Sequence, residues 1–198
     1  SAFVKAKEGA EDNEEGGYHD IYNANITADD IVVGIAASGR TPHTIGALKA
    51  ANEIGAFTIS IACNPNSKIG QVAKLAIDMT IGPEVITGST RLKAGTAQKL
   101  VLNMLSTASM VGIGKTYQNL MVDMKPTNEK LVERSKHIIM EATECSYEQA
   151  SIVFEKSHRQ TKIAIVMILL DCDEKTARLQ LEKHHGFVKN AIIDKQAD

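Results

Sequence analysis

The chain has 198 residues, of which 43% are hydrophobic and 23% charged, the make-up of a folded protein with room for one α/β domain and a small appendage. A formal charge of −2 gives no electrostatic reason to expect nucleic acid or an anionic membrane surface as a partner. The longest apolar run, residues 163–170, is too short to cross a bilayer. The charged opening does not read as a secretory leader. Cys63, Cys145 and Cys172 are odd in number and widely spaced, which suits reduced thiols in a cytoplasm better than disulfides or a zinc site. The chain opens at Ser1 without an initiator Met, and we read it as part of a longer protein.

The first segment, Lys7-Glu-Gly-Ala-Glu-Asp12 followed by Glu14 and Glu15, clusters carboxylates. Like charges repel, so a member held in a pocket is pushed up in pKa toward the range of a general base. A solvated acidic segment fits the same residues. Residues 30–37 form a β-branched apolar run, expected to be a strand covered on both faces. Ser38 and Gly39 turn the chain, Pro42 suits the first turn of a helix, and Gly55 is placed to end it. A second strand is expected over residues 57–63, stopped by Asn64-Pro65-Asn66. A short helix over residues 69–75 then leads to a third strand over 76–81. Strands alternating with helices imply right-handed crossovers and a parallel α/β sheet.

Ser38-Gly39-Arg40-Thr41 gathers backbone N–H groups, two hydroxyls and the positive end of a helix, the parts of a phosphate cradle. An ordinary turn with Ser38 or Thr41 as a helix cap fits equally well on spacing alone. After the third strand, residues 83–96 again put hydroxyls and the bases Arg91 and Lys93 before a helix. Ligands of open α/β sheets collect outside the carboxyl ends of the strands, so Glu84, Ser89 and Thr90 are candidates for substrate or interface contact. The helix expected over residues 91–110 carries Leu100, Val101, Met104 and Leu105, and it should be largely buried in the domain or a partner subunit.

Lys125-Pro126-Thr127 marks a boundary, giving domains 1–126 and 127–198. Four or five short helices follow. Ser146 opens a capping box, Asp171 or Asp173 caps a later helix, and Gly186 ends it. From Lys130 onward there are eleven basic and eleven acidic residues, so composition shows no basic face. His184 and His185 are adjacent rather than on one helix face, and they read as a helix end, not a metal site. Met104, Met110, Met121 and Met124 read as core or interface filler. Cys63 reads as a buried, inert thiol.

Val33-Gly-Ile-Ala-Ala-Ser-Gly-Arg-Thr-Pro42 and Glu84-Val-Ile-Thr-Gly-Ser-Thr-Arg-Leu-Lys-Ala-Gly-Thr-Ala-Gln-Lys99 resemble the sugar isomerase (SIS) domain. With Glu8-Gly-Ala-Glu-Asp12 and Asn119-Leu-Met-Val-Asp123, the resemblance narrows to the bacterial N-acetylmuramic acid 6-phosphate etherases and covers essentially the whole chain. It implies a cytoplasmic, homodimeric lyase that needs no metal or organic cofactor and takes a small sugar phosphate, with no nucleic-acid or membrane partner. Its fold would be a three-layer SIS-type sandwich, of which this chain holds the last three parallel strands, followed by a small all-α bundle. That bundle resembles a ubiquitin-associated-type fold. The family's base falls on Glu11, and Ser38, Gly39, Arg40 and Thr41 fall on a phosphate-binding loop. The family's acid glutamate lies in an upstream Glu-Cys-Pro-Pro segment that this chain does not contain.

Overall fold

The apolar runs become a parallel sheet in the computed structural model, which describes residues 9–195. A 3-10 turn, Ala10–Asp12, precedes α1 (Glu14–Asn23); β1 (Ile31–Ile35), α2 (Pro42–Ile54), β2 (Phe57–Ala62), α3 (Lys68–Val72) and β3 (Leu75–Asp78) follow. Then come α4 (Lys93–Gly112), β4 (Thr116–Tyr117), β5 (Leu120–Met121), α5 (Glu129–Thr143), α6 (Tyr147–Lys156), α7 (Thr161–Leu169), α8 (Glu174–Lys183) and α9 (Val188–Lys195). The chain divides into two compact units, Ser1–Asn103 and Met104–Asp198.

In the first unit the sheet order is β1-β2-β3, all parallel, with Val33 opposite Ile59 and Ile61 opposite Ile77. β2 is the central strand, and every residue after Phe57 in it is buried, as expected for a strand covered on both faces. Leu48, Ala62 and Ile69 bring α2 and α3 onto the sheet, and each is fully buried. A buried Leu or Ile contributes about 2 kcal/mol through removal of its apolar surface from water. β1 is an edge strand among the described residues, with Ile31 63% and Ile35 40% exposed.

α1 packs on α2 through glycine. A Cβ on Gly17 would lie 1.8 Å from the His43 carbonyl oxygen, and one on Gly46 would lie 1.9 Å from that of Glu14. Only hydrogen fits between the two backbones. Glu14 also takes an ion pair from Lys49 at 2.7 Å, and Asp20 meets His43 at 3.0 Å. Rising numbers in α1 thus meet falling numbers in α2, so the helices run in opposite senses where they touch.

The second unit has the β4–β5 hairpin, with Tyr117 paired to Leu120, and five helices. Its core centres on Phe154, Ile139, Ile165, Val166 and Val188, all at most 1% exposed. α7 is apolar nearly all round and lies at the centre of that core. Side chains close the starts of its neighbours: Asn128 accepts from Leu131 N–H, Ser146 from Gln149 N–H and Asp173 from Thr176 N–H. Asp173 is therefore the cap, while Asp171 sits in a left-handed turn. Gly186, also left-handed, returns its N–H to the Leu181 carbonyl at 2.7 Å.

α4 is little buried within this chain, so of the two expected covers, the domain or a partner subunit, the domain does not supply it. Only Ala94 and Val101 are buried in it, while Leu100 is 57% and Met104 62% exposed. Met110 and Met121 are exposed too; Met124 packs on the helical core.

Candidate functional site

The turn after β1 is built by hydrogen bonds that leave little choice of residue. Gly39 N–H donates to the Ala36 carbonyl at 2.9 Å, and the Gly39 carbonyl accepts from Ile69 N–H at 3.1 Å. At φ 68° Gly39 is left-handed, and a Cβ there would lie 2.4 Å from the Cβ of Ser67. Glycine is required on both counts. Ser38 Oγ accepts from Arg40 N–H at 3.3 Å, and Arg40 is exposed. Thr41 holds the cap position of α2, with Pro42 in the first turn, yet its hydroxyl makes no capping bond. The helix start thus keeps its positive end and an uncommitted hydroxyl, which is what an incoming anion requires.

β2 ends beside this turn. Cys63 N–H and the Asn64 side-chain amide both donate to the Ala37 carbonyl, at 3.0 and 3.1 Å. Two hollows open at this carboxyl edge of the sheet, and Asn64 lines both. One, of about 190 Å³, is bounded by Ala37, Cys63 and the loop bearing Glu84, Ser89 and Thr90. The other, of about 490 Å³, is bounded by Ser38, Arg40, Ser67 and Lys68. The Ser38 turn and the 83–96 loop therefore share an edge, as the topology required. Lys68 escaped sequence reasoning, because it lies one helix later; its place directly after Asn64-Pro65-Asn66-Ser67 was the available signal. Ser67 is fixed in turn by Asp78, which accepts from its hydroxyl at 2.7 Å and its N–H at 3.0 Å.

Glu84 has a structural task. Its carboxylate accepts from Lys93 N–H at 2.9 Å and Ala94 N–H at 3.1 Å, closing the start of α4. The Lys93 N–H bond is the main cause holding the Glu84 carboxyl below its ordinary value, with burial opposing and the Ala94 bond adding. A carboxyl lowered by folding stabilises the protein above its unfolded value and ceases to do so as the pH falls through the folded one. The stability difference between wild type and Glu84→Gln is therefore expected to be constant near neutrality and to shrink below about pH 4.5, the ordinary glutamate value, in urea titrations across pH.

Cys63 is buried, and desolvation, then the nearby Glu84 charge, raises its thiol pKa, which makes it unreactive. His184 lies at the end of α8, and no cluster of three potential metal ligands exists among the described residues. Nor is any described helix long and apolar enough to cross a membrane.

Glu11 is exposed in the 3-10 turn before α1. It makes no hydrogen bond or ion pair among the described residues, and none joins it to the Ser38 turn. The opposed run of α1 and α2 leads toward Lys49 at this end, whereas the turn lies at the start of α2. Lys7 and Glu8 of the same acidic motif lie outside the described residues.

Comparison with known proteins returns the SIS domain over residues 10–108. Among curated relatives, the N-acetylmuramic acid 6-phosphate etherase of Bacillus cereus (strain 03BB102) is 59% identical over 96% of this chain and 65% of its own length. Those of Oceanobacillus iheyensis and Francisella tularensis subsp. novicida are each 58% identical, over 95% and 96% of this chain and 64% of their own length. The chain thus spans just under two thirds of these relatives. The match over residues 10–108 contains the whole parallel sheet and both loops at its carboxyl edge. This chain belongs to the SIS domain family.

Proposed function

We propose that this chain is the larger part of an N-acetylmuramic acid 6-phosphate etherase, a carbon–oxygen lyase releasing D-lactate and N-acetylglucosamine 6-phosphate in cell-wall sugar recycling. The observation that carries the reading is the agreement between relatives 58–59% identical and an anion-ready turn at the strand edge. In this reading the 6-phosphate sits against Ser38, Gly39, Arg40 and Thr41, held by backbone N–H groups, the free Thr41 hydroxyl and the start of α2. Ser89 and Thr90 border the adjoining hollow and contact the sugar; Glu84 supports their loop.

The chemistry follows from the substrate. In the open-chain aldehyde, carbon 2 lies beside a carbonyl, so its proton is acidic enough for a carboxylate to remove. We assign that step to Glu11. The electron pair then expels the lactyl oxygen from carbon 3, which takes a proton from an acid, and water adds to the resulting double bond. The family resemblance puts that acid upstream of Glu11.

We infer further that the protein is a cytoplasmic homodimer. The three free cysteines suit a reducing compartment, and the exposed Leu100 and Met104 of α4 suit a covered interface. A dimer also accounts for Glu11: a base led away from its own Ser38 turn serves the turn of a second copy. Residues 127–198 form a separate helical module in this scheme.

The deciding measurement is D-lactate released from N-acetylmuramic acid 6-phosphate by the protein at the full length of its relatives. Stoichiometric lactate is expected. Aldose–ketose interconversion without lactate, or binding of N-acetylglucosamine 6-phosphate without turnover, would replace the lyase by an isomerase or a sensor.

A further inference from the structure

A cavity bordered by several charged residues lies within the second unit, far along the chain from the residues discussed above. It measures about 620 Å³ and is bounded by the β5–α5 connection, the start of α7 and one face of α8. α7 has nine residues, and its cap position, Gln160, supplies no side-chain bond to the helix start. Its first turn (Thr161, Lys162 and Ile163) lines the cavity. Thr161 is 1% exposed and its hydroxyl has no hydrogen-bond partner. A buried hydroxyl without a partner is rare and costly in a native protein. It sits at the positive end of a helix whose first amides also lack a side-chain cap.

The charges around this helix start agree. Lys125, Arg159, Lys162 and Arg178 border the cavity, against Asp123 and Glu182; Arg159 also pairs with Glu155 at 3.1 Å and the Arg178 Nε with Glu174, so the lysines and the Arg178 Nη groups carry the excess. Asp123 is already shared by two lysines, Lys115 at 2.6 Å and Lys162 at 3.5 Å. Burial tends to raise its carboxyl pKa, but the two lysines outweigh that and hold it low. Two ammonium groups on one carboxylate leave a positive charge over. Arg178 reaches across the helix start, its Nη1 donating to the Gln160 side chain at 3.3 Å.

We propose that this cavity binds a phosphomonoester, with the phosphate on the N-terminal amides and hydroxyl of Thr161 and on Lys162 and Arg178. Helix amides, a hydroxyl and two cations converge as a doubly charged phosphate requires, and the volume admits a hexose phosphate. This is a second anion site, in a different unit from the Ser38 turn, and it does not depend on the reaction assigned above.

The test is amide-resolved NMR of the whole chain, titrated in separate arms with inorganic phosphate and N-acetylglucosamine 6-phosphate at constant ionic strength. Saturable shifts of the Thr161, Lys162 and Ile163 amides are expected, unchanged in Ser38→Ala. A tighter constant for the sugar phosphate would identify that source, and equal constants would identify free phosphate. Thr161→Val should weaken binding about tenfold while leaving thermal stability without phosphate equal or raised, because it removes an unpaired hydroxyl at constant shape. Arg178→Gln should weaken binding similarly, so the prediction survives failure of either variant to fold. Absent or non-saturating shifts in both arms, shifts reproduced by chloride, or full affinity in both variants would overturn the proposal.

Discussion

Replacing Glu11 by Gln in the full-length protein is expected to lower lactate release by about 10²- to 10⁴-fold, the usual contribution of a general base. Glutamine keeps the size and much of the hydrogen bonding but cannot accept the carbon-2 proton. Solvent deuterium exchange at carbon 2 must therefore fall in step. Glu11 is exposed and carries no partner within the described chain, so the fold should be indifferent to the change, and an unaltered thermal midpoint separates chemistry from stability. Loss of lactate release with normal exchange would move the base elsewhere. Subunit mixing extends the experiment: if Glu11 serves the turn of a second copy, Glu11→Gln subunits mixed with Gly39→Val subunits regain activity that neither has alone.

Gly46→Ala is expected to cost about 3 kcal/mol or more, at the upper end of what overpacking produces. The added methyl would meet the Glu14 carbonyl at 1.9 Å, and a backbone atom cannot swing aside as a side chain can. α1 must then separate from α2, loosening the Lys49–Glu14 and His43–Asp20 pairs with it. On an exposed helix the same change stabilises, since alanine is the better helix former. The sign of the shift in a denaturant titration thus reports directly on the seam between the helices.

That seam also shows where sequence reasoning reached its limit. α2 was legible from Pro42 at its start to Gly55 at its end, because both act locally, and Gly55 does close it at φ 95°. The strands were legible from their β-branched runs, and the cap at Ser146 and the proline in the first turn of α2 needed no tertiary knowledge, whereas the choice of Asp173 over Asp171 as a cap was settled only by the structure. α1 was not. Glu14-Glu-Gly-Gly-Tyr has an acidic, glycine-rich composition that reads as a solvated segment, and its Gly17 is explained only by the backbone of His43, 26 positions away, just as Gly46 is explained by that of Glu14, 32 positions away. The β4–β5 hairpin is two residues per strand, too short for alternation to register. In the site, the hydroxyl-rich stretches were visible, yet the duty of Glu84 was not, because a carboxylate nine residues before the helix it closes matches no local capping pattern. The exposed face of α4 is a case where an apolar stripe announced burial that this chain alone does not provide.

The position of β1 at the rim of the sheet bears on how the protein can be handled. Among the described residues no strand pairs with its outer side, which is flanked by the exposed Ile31 and Ile35, and it carries no proline or lysine of the kind that guards a permanent edge. The further parallel strands that the family resemblance implies upstream of this chain would extend the sheet at such a rim. Solubility measured on this piece therefore does not carry over to the protein at the full length of its relatives, where more chain is available to cover this rim.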